Sequence, residues 1–142
     1  MTLRRPAPVE VLALHDRIVE RTGGDHGIRD VGALTSTVSR PFGGSASGEF
    51  YPTLEEKAAA LCHGLVREHP FADANHRTGV AAAAFLLEVN GHRLTASPPE
   101  LMRFARGVAG EHHRIEEMAA WFRKHSKRAR TPARATKERR NA

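Results

Sequence analysis

Apolar positions along the chain recur at helical spacing, and the strict alternation of a strand is almost absent. Val11, Leu14, Ile18 and Val19 form a first stripe that Gly23-Gly24 ends. Val31, Leu34 and Val38 predict a short second helix, halted before Pro41. Thr53-Leu54-Glu55-Glu56 has the form of a capping box, in which the Thr53 hydroxyl and the Glu56 carboxylate satisfy amides at a helix start. The helix it opens puts Leu54, Ala58, Leu61 and Leu65 on one side and runs to about Glu68. The next extends from near Asn75 to the C-cap signal Asn90-Gly91. Its stretch from Gly79 to Leu87 is apolar all round, the mark of a central buried helix, and Ala81 to Ala84 let neighbours approach closely. Ser97-Pro98-Pro99-Glu100 joins an N-cap serine, proline at the first helical position and a glutamate three residues on. Leu101, Phe104, Ala105 and Val108 continue that helix, and Ile115, Met118, Ala119 and Phe122 mark a last one. Arg40 to Pro52 is rich in Gly, Ser and Pro and reads as a mobile loop or short irregular hairpin. The pattern predicts a compact all-α domain over residues 1–126, built around a central buried helix and carrying one long loop.

Composition narrows the setting. A chain of 142 residues, 40% hydrophobic, suits one domain with a core of its own. The single cysteine, Cys62, excludes a disulfide framework or a Cys-rich zinc site. The longest apolar run, Gly79 to Leu87, falls short of the ~18 residues of a membrane helix, and no signal-peptide stretch follows Arg4 and Arg5. A soluble, cytoplasmic protein with no membrane partner is expected. The net charge of +6 is not spread evenly. Residues 1–126 hold 15 basic and 15 acidic side chains, whereas residues 127–142 hold 7 basic ones against Glu138. That basic stretch has almost no large apolar side chain and is expected to be a disordered, solvated tail, capable of weak phosphate contacts to nucleic acid.

Of the nine histidines, His26, His92, His112, His113 and His125 fall near helix ends or loops, and His15 and His63 read as satisfied core or surface residues. The stretch Arg67-Glu68-His69-Pro70-Phe71-Ala72-Asp73-Ala74-Asn75-His76-Arg77 differs, because it places acid, base, amide and guanidinium at the joint between two helices. Pro70 ends the first helix at His69, since proline disfavours helical geometry in the residue before it. Phe71 is the one large apolar residue of the turn and anchors it. The helix starting near Asn75 presents unpaired amides and the positive end of its dipole, a ready anion site. Arg77 can grip phosphate oxygens. Asp73 offers a hard oxygen to magnesium. An imidazole ordinarily titrates near neutrality, and His69 is the natural general base. These are the parts that phosphoryl transfer requires. The plain alternative is a helix-loop-helix corner in which Asp73 or Asn75 serves only as a cap.

The stretch strongly resembles the signature of the Fic/Doc superfamily, His-Pro-Phe-x-(Asp/Glu)-(Gly/Ala)-Asn-x-Arg, which His69, Pro70, Phe71, Asp73, Ala74, Asn75 and Arg77 fill without a gap. The likeness extends from about Val9 to Phe122. Leu14-His15-Asp16, Gly27-Ile28-Arg29-Asp30, Arg40-Pro41, Tyr51 to Ala58 and Asn90-Gly91 look like its Doc (death-on-curing) branch. The resemblance implies an all-helical fold whose motif loop feeds the central helix. It also implies transfer of part of a nucleotide to a protein hydroxyl: mostly AMP in Fic branches, and in Doc toxins the γ-phosphate of ATP, to a threonine of elongation factor Tu, which stops translation. By the same resemblance His69 takes the hydroxyl proton, Asp73 holds Mg²⁺, and Asn75 and Arg77 hold phosphates with the loop amides. Arg67 matches a further phosphate-contacting arginine, and residues 40–52 match the flap that lines up the target. His76 stands at a phosphate-side position where Doc usually has lysine, and Val80 stands where Fic AMP-transferases carry a second arginine. Ser45 to Phe50 matches the inhibitory Ser/Thr-x-x-x-Glu motif only by coincidence, so restraint is expected in trans, from a small antitoxin. Three alternatives stand beside Doc-type phosphorylation: AMP transfer, a catalytically degenerate binding module, and a His-Asp phosphohydrolase using His15, Asp16, His63 and Asp73. The last lacks the upstream histidine such sites need.

Overall fold

The computed structural model describes residues 2–111 and 113–129, with only the backbone for residues 109–111. Its helices are α1 (Pro8–Thr22), α2 (Val31–Ser39), α3 (Leu54–Glu68), α4 (Asn75–Val89), α5 (Pro98–Glu111) and α6 (Ile115–Lys124). Four short strands, β1 (Gly44–Ser45), β2 (Gly48–Glu49), β3 (His92–Leu94) and β4 (Ser126–Arg128), make two antiparallel ribbons, β1–β2 and β3–β4. The expected helical domain is what forms.

The capping box at the start of α3 closes as the sequence predicts. Thr53 Oγ1 accepts from the Glu56 amide at 3.1 Å, and Glu56 Oε1 accepts from the Thr53 amide at 2.9 Å. Thr53→Ala is therefore expected to cost about 1 kcal/mol of stability, read as a lower urea midpoint with an unchanged slope.

α4 is buried along most of its length, but α3 shares the centre with it. Ala58, Ala59, Leu61, Cys62 and Leu65 of α3 are fully buried, as are Ala82, Ala83, Leu86 and Leu87 of α4. Gly79 lets the two helices touch: a Cβ there would lie 3.1 Å from both the Cys62 carbonyl and Val66 Cγ2. Burial pushes the Cys62 thiol up to about 12, which makes it a packing residue rather than a reactive one. α3 read as one-sided because Lys57 interrupts its apolar run, yet Lys57 is only 2% exposed. Its ammonium donates to Glu49 Oε1 at 2.6 Å and to the Tyr51 carbonyl, so the charge is paired while the stem packs.

α2 stops before Pro41 as expected, and a 3-10 turn over Arg40–Phe42 then takes up the proline near its start, where a missing N–H costs nothing. The long loop then forms the β1–β2 hairpin, with Gly44 opposite Glu49 and Ser45 opposite Gly48. The first residues of the expected tail, Lys127 and Arg128, belong to β4 and pair with Arg93 and His92. Backbone pairing holds them although their side chains are polar. The rest of the expected tail, residues 130–142, lies outside the described residues. Among the described residues no helix is long and apolar enough to cross a membrane.

Candidate active site

The site is the corner between α3 and α4, and its backbone is strapped from several directions. α3 ends at His69 in the left-handed region, φ 51° and ψ 58°. A side chain there costs roughly 1–2 kcal/mol, which is why glycine is usual at such a position. The following residue normally donates its N–H back to the helix, and Pro70 has none to give. The terminal carbonyls are met from outside instead. Arg29 donates from Nη2 to the Glu68 carbonyl and from Nε to the His69 carbonyl, each at 2.6 Å. The Pro70 carbonyl accepts from the amides of Arg29 at 2.7 Å and Asp30 at 3.0 Å, and the Ala72 amide donates to Gly27 at 2.9 Å.

Asn75 and His15 hold the second half of the turn. Asn75 Oδ1 accepts from the Phe71 amide and its Nδ2 donates to the Phe71 carbonyl, both at 3.0 Å. The fully buried His15 has Nε2 2.9 Å from the Asp73 carbonyl; a carbonyl can only accept, so Nε2 carries the proton. The imidazole also stacks on Phe71, with centroids 3.8 Å apart and planes 7° apart. Both ends of the Asn75 side chain thus hold the Phe71 peptide.

The strapped turn presents its functional groups outward. His69 is exposed and meets His76 edge-on, with centroids 6.0 Å apart. Asp73 Oδ1 accepts from the Ala74 amide at 2.8 Å. Its Oδ2 rests over Gly24, where a Cβ would come within 2.8 Å, so only glycine leaves room for the carboxylate. Ala74, at φ 61°, begins α4 without a side-chain cap. The N–H groups of Asn75, His76 and Arg77 thus have neither an intrahelical partner nor a capping side chain. Arg77 Nη1 donates to Thr22 Oγ1, which donates in turn to the Ile18 carbonyl at 2.7 Å. His69, Ala72, Asp73, Ala74, Asn75, His76 and Arg77 line a hollow of about 210 Å³. Arg67, exposed on the last turn of α3, does not line it. Arg29 and Thr22 carry no role in the reading of the residues, and Arg29 stands there only within the resemblance. His15 reads there as a satisfied core or surface histidine and as part of the phosphohydrolase alternative, not as the clamp on the Asp73 carbonyl.

Burial pushes the His76 imidazole below its ordinary value, and the neighbouring His69 and Arg77 push it further the same way. His76 is therefore neutral at pH 7 and adds no full positive charge beside Arg77. The folded chain binds fewer protons here than the unfolded chain once the pH falls below the ordinary imidazole value of about 6.5. The stabilisation tied to neutral His76 is present above that value and is lost as the pH falls through it toward the lower folded value. His76→Gln is expected to lose less melting temperature than the parent between neutral and mildly acidic pH, measured by circular dichroism.

A larger cavity, about 490 Å³, lies elsewhere, between the N-terminal segment and the flap root, lined by Arg5, Phe42, Glu49 and Lys57 among others. Its ammonium is already paired, and it sets no imidazole beside a carboxylate; volume alone does not mark the chemistry. Asp73 fits a magnesium ion that brings phosphate oxygens with it, since its carboxylate is exposed and cradled over Gly24. Among the described residues no group of three His, Cys, Asp or Glu side chains comes together, and His15 is committed to the Asp73 carbonyl. The phosphohydrolase alternative thus has no ligand set.

Residues 7–87 match the model of the Fic/DOC family. The chain is 43% identical over 74 residues to "Toxin Doc" of Mycolicibacterium smegmatis, covering 52% of this chain and 57% of that protein. It is 32% identical over 122 residues to "Protein kinase doc" of Escherichia phage P1, covering 86% of this chain and 95% of that protein. The chain thus spans little more than half of the first relative and nearly all of the second. The resemblance carried by His69 to Arg77 is borne out, with Doc proteins among the relatives: this chain belongs to the Fic/DOC family.

Proposed function

We propose that this chain is a Doc-like toxin that transfers the γ-phosphate of ATP to a hydroxyl of a translation protein, with elongation factor Tu as the first candidate. One observation carries the reading: an exposed imidazole and a carboxylate flank the uncapped start of α4 in one hollow. The β- and γ-phosphates rest on the N–H groups of residues 75–77, where the helix dipole favours negative charge. Arg77, oriented by Thr22, contributes a guanidinium. His69 accepts the proton of the attacking hydroxyl while that oxygen bonds to the γ-phosphorus and the bond to ADP breaks. Asp73 would hold Mg²⁺, which neutralises charge on the phosphates when bound.

Val80 supports phosphoryl over AMP transfer, because an apolar side chain 9% exposed stands where Fic AMP-transferases carry their second arginine. A second reading, a catalytically degenerate binding module, draws on neutral His76 at the usual lysine position. The proposed setting is the cytoplasm, with a small antitoxin restraining the toxin in trans. The test is incubation with elongation factor Tu and ATP labelled separately on the γ- and α-phosphates. γ-Label on the target is expected. α-Label would replace the proposal with AMP transfer, and no label would favour the binding module.

A further inference from the structure

We infer that Arg29 is a positioning residue for the base, its guanidinium holding His69 in the one backbone conformation that aims the imidazole into the hollow. The inference rests on the reading of His69 as the base. His69 carries two conflicting demands: it closes α3 in the left-handed region, and it precedes a proline, which favours extended geometry. Left to that preference, its backbone rotates and the imidazole swings away from Asp73 and α4. Pro70 cannot supply the N–H that usually locks such an end, so the lock must come from elsewhere in the chain.

Arg29 supplies it in two ways. Its planar fork spans the carbonyls of Glu68 and His69, and its own amide donates to the Pro70 carbonyl. Its backbone is steadied in turn, because Asp30 caps α2 through Oδ1, accepting from the Ala33 amide at 3.0 Å. The start of α2 and the end of α3 thereby form one unit. Lysine cannot substitute, since a single ammonium on a flexible stem does not bridge two carbonyls with fixed geometry. Arg29 does not line the hollow, so its effect reaches the reaction only through His69.

The experiment compares the full chain with Arg29→Ala and Arg29→Lys by kinetics and, without nucleotide, by NMR of ¹⁵N-labelled histidine rings. Arg29→Ala is expected to lower kcat on the order of 100-fold, as misplacement of a reacting group does, with KM for ATP unchanged. Millimolar guanidinium restores part of the rate to Arg29→Ala, and Arg29→Lys stays impaired. In the NMR arm the contact between the His69 and His76 rings disappears in both variants while the His15 signals persist. A parent-like kcat, full activity in Arg29→Lys or an undisturbed His69–His76 contact overturns the assignment. If the parent itself transfers no phosphate, the proposed function fails and the NMR arm alone decides about Arg29. If Arg29→Ala does not fold, Arg29→Lys carries both readouts.

Discussion

Replacing His69 with alanine is expected to abolish label transfer from ATP and the growth arrest caused by expressing the chain. Losing a general base removes on the order of 10²–10⁴ in rate, enough to make a slow phosphotransferase undetectable. The imidazole is exposed and contributes little to the core, and alanine keeps the Cβ that makes the left-handed conformation costly. His69→Ala should therefore fold with nearly the parent's melting temperature, which separates lost chemistry from lost structure. The check is expression in a growth assay beside purified transfer kinetics. A variant that arrests growth as the parent does would show that His69 is not the base.

Phe71→Ala carries the largest expected cost in stability, about 3–5 kcal/mol, the range for removing a buried aromatic ring. The ring is 1% exposed and stacked on the buried His15 imidazole. Its removal opens a cavity directly beneath the turn and leaves His15 without its stacking partner, while His15 still has to hold the Asp73 carbonyl. Phe71→Leu fills part of the space and should cost less. Urea unfolding of both variants measures this. A change below about 1 kcal/mol for Phe71→Ala would mean that the corner collapses around the gap and that the ring is not its anchor.

What could be read from the sequence followed from how local each signal is. The capping box at Thr53, the end of α3 before Pro70 and the apolar run of α4 each depend on neighbours within a few positions, and each forms as read. The β3–β4 ribbon left no trace because three-residue strands are too short to show alternation, and its partners lie far apart in the chain. Lys57 hid the burial of α3, since a lysine reads as surface until its partners Glu49 and Tyr51 are brought to it. At the site, His69, Asp73, Asn75 and Arg77 were visible as one contiguous stretch. Arg29, His15 and Thr22 were not, because they act on backbone or on a single side chain from distant segments, with no spacing to betray them. Asn75 reads as a phosphate-side residue, and its amide also makes two hydrogen bonds to the Phe71 peptide, a pairing that only the folded turn reveals.

The most direct measurement is a crystal structure of His69→Ala bound to ATP and Mg²⁺. Phosphate oxygens should accept from the amides of Asn75, His76 and Arg77, with Asp73 facing the cation and the γ-phosphate open toward the position vacated by the imidazole. A nucleotide seated in the larger cavity beside Phe42 and Lys57, or phosphates turned away from the start of α4, would contradict it.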